Sequence, residues 1–112
     1  MDEKVVDRIA EENAELTIFT DMGSGYLDLL GEKLSNRDVI ILDHHKPVAE
    51  IPAGFVQVNP HAHGIDGTRD ISGAGVAYFA AKAMDKKNID LACLAVASSR
   101  HFFRSPSRLF SI

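Results

Sequence analysis

Asp21 and the run Asp43-His44-His45 are the residues of this sequence best suited to chemistry. Each follows a short apolar run, Leu16-Thr17-Ile18-Phe19-Thr20 before Asp21 and Val39-Ile40-Ile41-Leu42 before the triplet. A carboxylate can bridge two cations, whereas an imidazole holds one, and the combination suits Mn²⁺, Mg²⁺ or Zn²⁺ better than Ca²⁺. One histidine or one charge after a strand is ordinarily a loop residue. Two adjacent histidines behind an aspartate, following four apolar residues, point instead to a metal or phosphate site. Gly73-Ala74-Gly75 opens a helical run and allows two readings. Its backbone N–H groups could face a phosphate, or its small residues could serve close helix–sheet packing. His61, His63 and Arg69 lie in a polar loop, where each is either a substrate contact or a surface residue.

The elements that must position these groups are legible in the hydrophobic pattern. Residues 2–14 place apolar side chains at helical spacing between charges, and residues 26–34 put Leu27, Leu30 and Leu34 on one helical face. Residues 16–20 read as a β-branched and aromatic strand, and residues 55–58 as another. Residues 38–42 are apolar without alternation, as in a parallel strand covered on both faces. The strand must end near Pro47. Residues 59–72 read as a loop, 73–84 as a helix rich in small residues, and 88–97 as a further buried helix. This order predicts an α/β fold, a three-layer arrangement of a mainly parallel sheet with flanking helices. In such sheets ligands bind beyond the carboxyl ends of the strands. Two neighbouring strands would therefore deliver Asp21 and the triplet to one crevice.

The chain resembles the DHH phosphoesterases. Ile40-Ile41-Leu42-Asp43-His44-His45-Lys46-Pro47 is similar to that family's signature, and Phe19-Thr20-Asp21-Met22-Gly23-Ser24-Gly25 to the motif before it. Asn59-Pro60-His61 and Ile71-Ser72-Gly73-Ala74-Gly75-Val76-Ala77 resemble the stretch after the triplet, especially in archaeal RecJ-like proteins. The resemblance spans about residues 15–97 and implies metal-dependent hydrolysis of phosphodiesters, of the single-strand exonuclease type. It implies that Asp21 bridges two Mn²⁺ or Mg²⁺ ions, and that His44 ligates one. It further implies that His45 stabilises the scissile phosphate and that Asp43 binds or orients the metal shell. Single-stranded nucleic acid or a short oligonucleotide would be the substrate, contacted by His61, Gly73 and Gly75. RecJ-like proteins of archaea also associate with replication machinery, which implies replication proteins as partners.

The chain departs from the family pattern in three places. The first motif, a strand ending in His-x-Asp-x-Asp, has no counterpart before Asp21. The family's late Asp is replaced by Ala97-Ser98-Ser99-Arg100, and the C-terminal substrate-binding domain has no counterpart. The expectation is an internal piece of a longer protein, with residues 1–97 a partial phosphoesterase domain and 98–112 an atypical basic tail. A non-catalytic remnant, or an interaction module of the replication and repair machinery, is the competing reading. In that reading Phe102-Phe103 and Leu109-Phe110 would dock on a partner or at a homo-oligomer interface. A nucleotide-binding domain using Gly73-Ala74-Gly75 is a weaker third reading, because no G-x-G-x-x-G or P-loop pattern accompanies it.

Composition narrows the setting. A chain of 112 residues with 46% hydrophobic and 25% charged residues is sized and composed for one globular domain, which argues against disorder. A net charge of −4 disfavours a general nucleic-acid binder. The charge is uneven, since no acid follows Asp90 whereas Arg100, Arg104 and Arg108 do. The single cysteine, Cys93, excludes a disulfide framework and implies a reducing compartment. Its apolar neighbours predict a small buried core residue. No run approaches the roughly 18 apolar residues of a membrane span, and the acidic N-terminus lacks a signal-peptide pattern. The expected location is the cytoplasm.

Overall fold

A computed structural model of the protein describes residues 1–98. The tail containing Phe102, Phe103, Leu109 and Phe110 lies outside the described residues, as does nearly all of the predicted basic segment.

The chain opens with α1 (Glu3–Glu11). The Asp2 side chain caps it by accepting the Val5 N–H, Glu3 sits in the first turn and Arg8 in the last. Those charges oppose the helix dipole. Strand β1 (Leu16–Thr20) follows, then α2 (Leu27–Lys33) and β2 (Asp38–Leu42). Strand β3 (Phe55–Val58) leads into a 3-10 turn, Pro60–His63, within what the pattern predicts as plain loop. Asn59 caps that turn through its side chain, and Pro60 occupies its first turn without costing a hydrogen bond. Helix α3 (Gly73–Met84) is capped by Ser72, a second 3-10 turn covers Lys86–Leu91, and α4 spans Ala92–Ser98.

The three strands form one parallel sheet in the order β1-β2-β3. Thr20 pairs with Leu42, and Leu42 with Val58, so all three strands end at the same level. The fold is thus α/β, a parallel sheet flanked by helices. One sheet face presents Phe19, Val39, Ile41 and Phe55 to Val6 of α1, Leu27 and Leu30 of α2, and Leu34, forming a single core cluster. Lys33 bridges Glu3 and Asp7 at 3.2 and 2.9 Å, tying α2 to α1. The Arg37 guanidinium donates to the Ala10 and Glu12 carbonyls at the end of α1, satisfying groups that the helix itself leaves open.

The opposite sheet face is covered most fully over β2, the strand expected to be covered on both faces, where Ile40 is half-buried. Helix α3 packs against β1 and β2, yet Ile18 is 51% and Val56 is 56% exposed. Among the described residues the outer strands β1 and β3 are thus covered less than the central strand. The predicted buried helix over 88–97 is corrected. It divides into a 3-10 turn and α4, and Cys93, Leu94 and Val96 are exposed. Cys93 is therefore not a core residue, because the described chain supplies no layer over the outer side of α4.

Candidate metal centre

Asp21, Asp43 and Asn59 are the residues that follow the paired strand ends Thr20, Leu42 and Val58. The ladder continues one step into the loops. The Asp21 N–H donates to the Leu42 carbonyl at 2.9 Å, and the Asp43 N–H to the Val58 carbonyl at 3.2 Å. Parallel pairing thus sets the two aspartates side by side at the carboxyl edge. Asp21 then turns sharply, with φ at 61°, the left-handed region that costs energy for residues other than glycine. Aspartate and asparagine tolerate it better than other side chains.

The structure brings together four of the residues singled out from sequence. One ligand atom from each of Asp21, Asp43, His44 and His45 lies within 4.8 Å of the others. His44 Nδ1 is 2.7 Å from the Gly67 carbonyl oxygen and 3.1 Å from that of Ile71. Carbonyls only accept, so Nδ1 carries a proton, and Nε2 presents a lone pair whenever the ring has no second proton. That Nε2 stands 3.0 Å from Asp21 Oδ1. Two lone-pair donors so close require a cation between them or a second ring proton. Adjacent ligands of an octahedral ion with bonds of about 2.1 Å lie about 3.0 Å apart, so the donor pair fits Mn²⁺ or Mg²⁺. The carbonyls behind His44 are the outer support that ligating histidines usually have.

Asp43 and His45 are built differently. Asp43 is fully buried. Its Oδ1 accepts from His45 Nδ1 at 2.7 Å and from the His44 and His45 backbone N–H groups at 2.8 and 3.3 Å. Its Oδ2 accepts the Ser24 N–H at 2.9 Å. Burial alone pushes the Asp43 carboxyl pKa up. The Ser24 N–H and the His45 ring and backbone outweigh it, and the net shift is downward. With both oxygens engaged, Asp43 is placed to orient its neighbours. The His45 side chain is 59% exposed, so its ring is fixed at one nitrogen and open to solvent elsewhere.

The remaining candidates lie around this cluster. His61 donates its backbone N–H to Asn59 Oδ1 at 3.0 Å, and its Nε2 is buried without a hydrogen-bond partner. A Cβ at Gly67 would come within 3.1 Å of that nitrogen and 2.0 Å of the His44 carbonyl oxygen. His63 and Arg69 are exposed. Gly75 donates its N–H to the capping Ser72 Oγ at 3.1 Å, so that donor is used inside the helix cap. Gly73 is needed for close approach, since a Cβ there would fall 2.1 Å from Asp21 Oδ1. Both observations favour the packing reading of this glycine pair. Gln57 was not picked out from the sequence, and Ser24 and Asn59 entered only as members of the quoted motifs, although both are buried polar residues beside the triplet. The signal for Asn59 was its place directly after an apolar strand, as for the two aspartates.

Fold and site together define a parallel α/β domain with a carboxylate–imidazole cluster at the carboxyl ends of its strands. No known family profile matches the chain. The chain is similar to an uncharacterized protein of Methanocaldococcus jannaschii, with 38% identity over 102 residues. The match covers 86% of this chain but 23% of that protein, so the chain spans under a quarter of the relative's length. Among the described residues no helix is long and apolar enough to cross a membrane.

Proposed function

We propose that this chain carries part of the catalytic centre of a DHH-type phosphoesterase, of the RecJ-like kind, which hydrolyses phosphodiester bonds in single-stranded nucleic acid or short oligonucleotides. The observation that carries the reading is the pair Asp21 Oδ1 and His44 Nε2, 3.0 Å apart, with the other His44 nitrogen committed to backbone carbonyls. Asp21 and His44 would hold Mn²⁺ or Mg²⁺. Bound there, the metal would supply Lewis acidity and an activated water. His45, held at Nδ1 by the buried Asp43, would donate from its outer ring nitrogen to a phosphoryl oxygen when the ring carries both protons. Asp43 fixes the orientation of that ring. A single cysteine agrees with a reducing, cytoplasmic setting.

The test is Mn²⁺-dependent hydrolysis of an end-labelled oligonucleotide. His45→Ala is expected to lower the rate at least about a hundredfold, the usual scale for a lost transition-state contact. Equal rates in the two proteins would sink the assignment.

A second reading is a non-catalytic module associated with replication and repair proteins. It is favoured by the engagement of both Asp43 oxygens, which leaves Asp21 and His44 as the ligands ready for an ion. Calorimetry separates the two. Tight binding of two Mn²⁺ ions supports the enzyme, and binding of one weak ion without hydrolysis supports the module.

A further inference from the structure

Three buried or half-buried polar side chains behind the triplet are bonded to one another. Asn59 is 1% exposed. Its Nδ2 donates to the His45 carbonyl at 2.9 Å and to Ser24 Oγ at 3.0 Å, while its Oδ1 accepts the His61 N–H. Gln57 Nε2 donates to the same Ser24 Oγ at 2.8 Å. Ser24, fully buried, gives its backbone N–H to Asp43 Oδ2. The Ser24 carbonyl also receives the Val48 N–H at 3.2 Å, beyond the triplet. These contacts join the loop after β1, the loop after β2, and the end of β3 with the turn that follows it.

An asparagine amide is costly to bury unless its donors and acceptor are used. Here all are used, and each partner lies on a segment that carries a candidate functional residue. The sheet supports Asp43 only through its backbone N–H, and the triplet beyond it runs off the end of the ladder. Something else must hold the peptide at His45 so that the ring meets Asp43 Oδ1.

We infer that Asn59, with Ser24 and Gln57, is a positioning network that holds the His45 imidazole on Asp43, so that the loop after β3 controls the outer face of the site. Asn59 fixes the His45 carbonyl, and Ser24 fixes the opposite oxygen of Asp43. The network acts on His45 through the backbone and through Asp43, and it touches neither substrate nor metal. Its catalytic consequence rests on the phosphoesterase reading, but its effect on His45 exists in the metal-free protein.

The experiment is nitrogen-detected NMR of the histidine rings in the metal-free chain, at a pH where the ring signals show the neutral forms. The expected wild-type signature is a His45 ring protonated at Nδ1. In Asn59→Ala the ratio of Nδ1–H to Nε2–H forms falls roughly fivefold, the equilibrium equivalent of one ordinary hydrogen bond. Ser24→Ala gives a smaller change in the same direction and serves if Asn59→Ala does not fold. Leu34→Ala, a core truncation away from the network, leaves the ratio unchanged. An unaltered His45 ratio in a folded Asn59→Ala or Ser24→Ala protein overturns the inference, as does an equal change in Leu34→Ala. If the wild-type protein shows the Nδ1–H signature and its loss in the variants but no Mn²⁺-dependent hydrolysis, the network stands and the phosphoesterase reading fails.

Discussion

At Asp21 a non-glycine residue takes a left-handed backbone, with its carboxylate against both His44 and the start of α3. Strain of this kind persists where surrounding structure enforces it, and it gathers at functional sites. Asp21→Asn isolates the charge, because asparagine adopts the same backbone readily. The expected result is an unchanged thermal midpoint and Mn²⁺ affinity lower by about tenfold or more, the scale on which even supporting residues of metal sites act, measured by calorimetry. Asp43 behaves differently because its charge serves the fold. Its folded pKa lies below the unfolded value, so the unfolded chain binds its proton more readily in acid. The stabilisation is therefore full above a pH of about 4 and is lost as pH falls through the lower folded pKa. Thermal melts across that range should show an acid loss that is flattened in Asp43→Asn.

At the scale of elements, the site depends on how closely α3 approaches the end of β1. Helix α3 begins with a glycine because its first turn lies on the Asp21 carboxylate, leaving no room for a methyl group. The contact places a carboxylate at the positive end of a helix of 12 residues, a favourable arrangement. Gly73→Ala must move the carboxylate or the helix. The expected outcome is a loss of about 1–3 kcal/mol, as for other overpacked sites, with a fall in Mn²⁺ affinity. Urea denaturation and calorimetry would check the two parts. A stable variant with unchanged affinity would show that the approach is looser than the structure indicates.

At the scale of the whole molecule, stability among the described residues rests largely on the small core between the sheet and the α1–α2 layer. Leu30 is fully buried at its centre. Leu30→Ala should cost about 2–5 kcal/mol, a large part of the roughly 5–15 kcal/mol available to a domain. Denaturation should therefore show a markedly lower midpoint. The other face of the sheet contributes less, because Leu16, Ile18, Val56 and Val58 remain substantially exposed among the described residues.

The sequence by itself determined the three strands, the helix Gly73–Met84 and the level at which Asp21 and the triplet leave the sheet. Those features follow from local apolar runs and from the residues that end them, and they need no knowledge of distant partners. It also marked the four residues that the structure gathers within 4.8 Å. Only the tertiary structure decided their surroundings. Asp43 and Asp21 are the same residue type after similar strands, yet one is sealed among N–H donors and the other faces His44. Gly73, Asn59 and Ser24 acquired their significance from neighbours on other segments, Asp21 for the glycine and the His45 carbonyl for the asparagine. Cys93 was misjudged for the same reason. An apolar local sequence records what a residue can bury, whereas exposure depends on which layer the rest of the chain places over it.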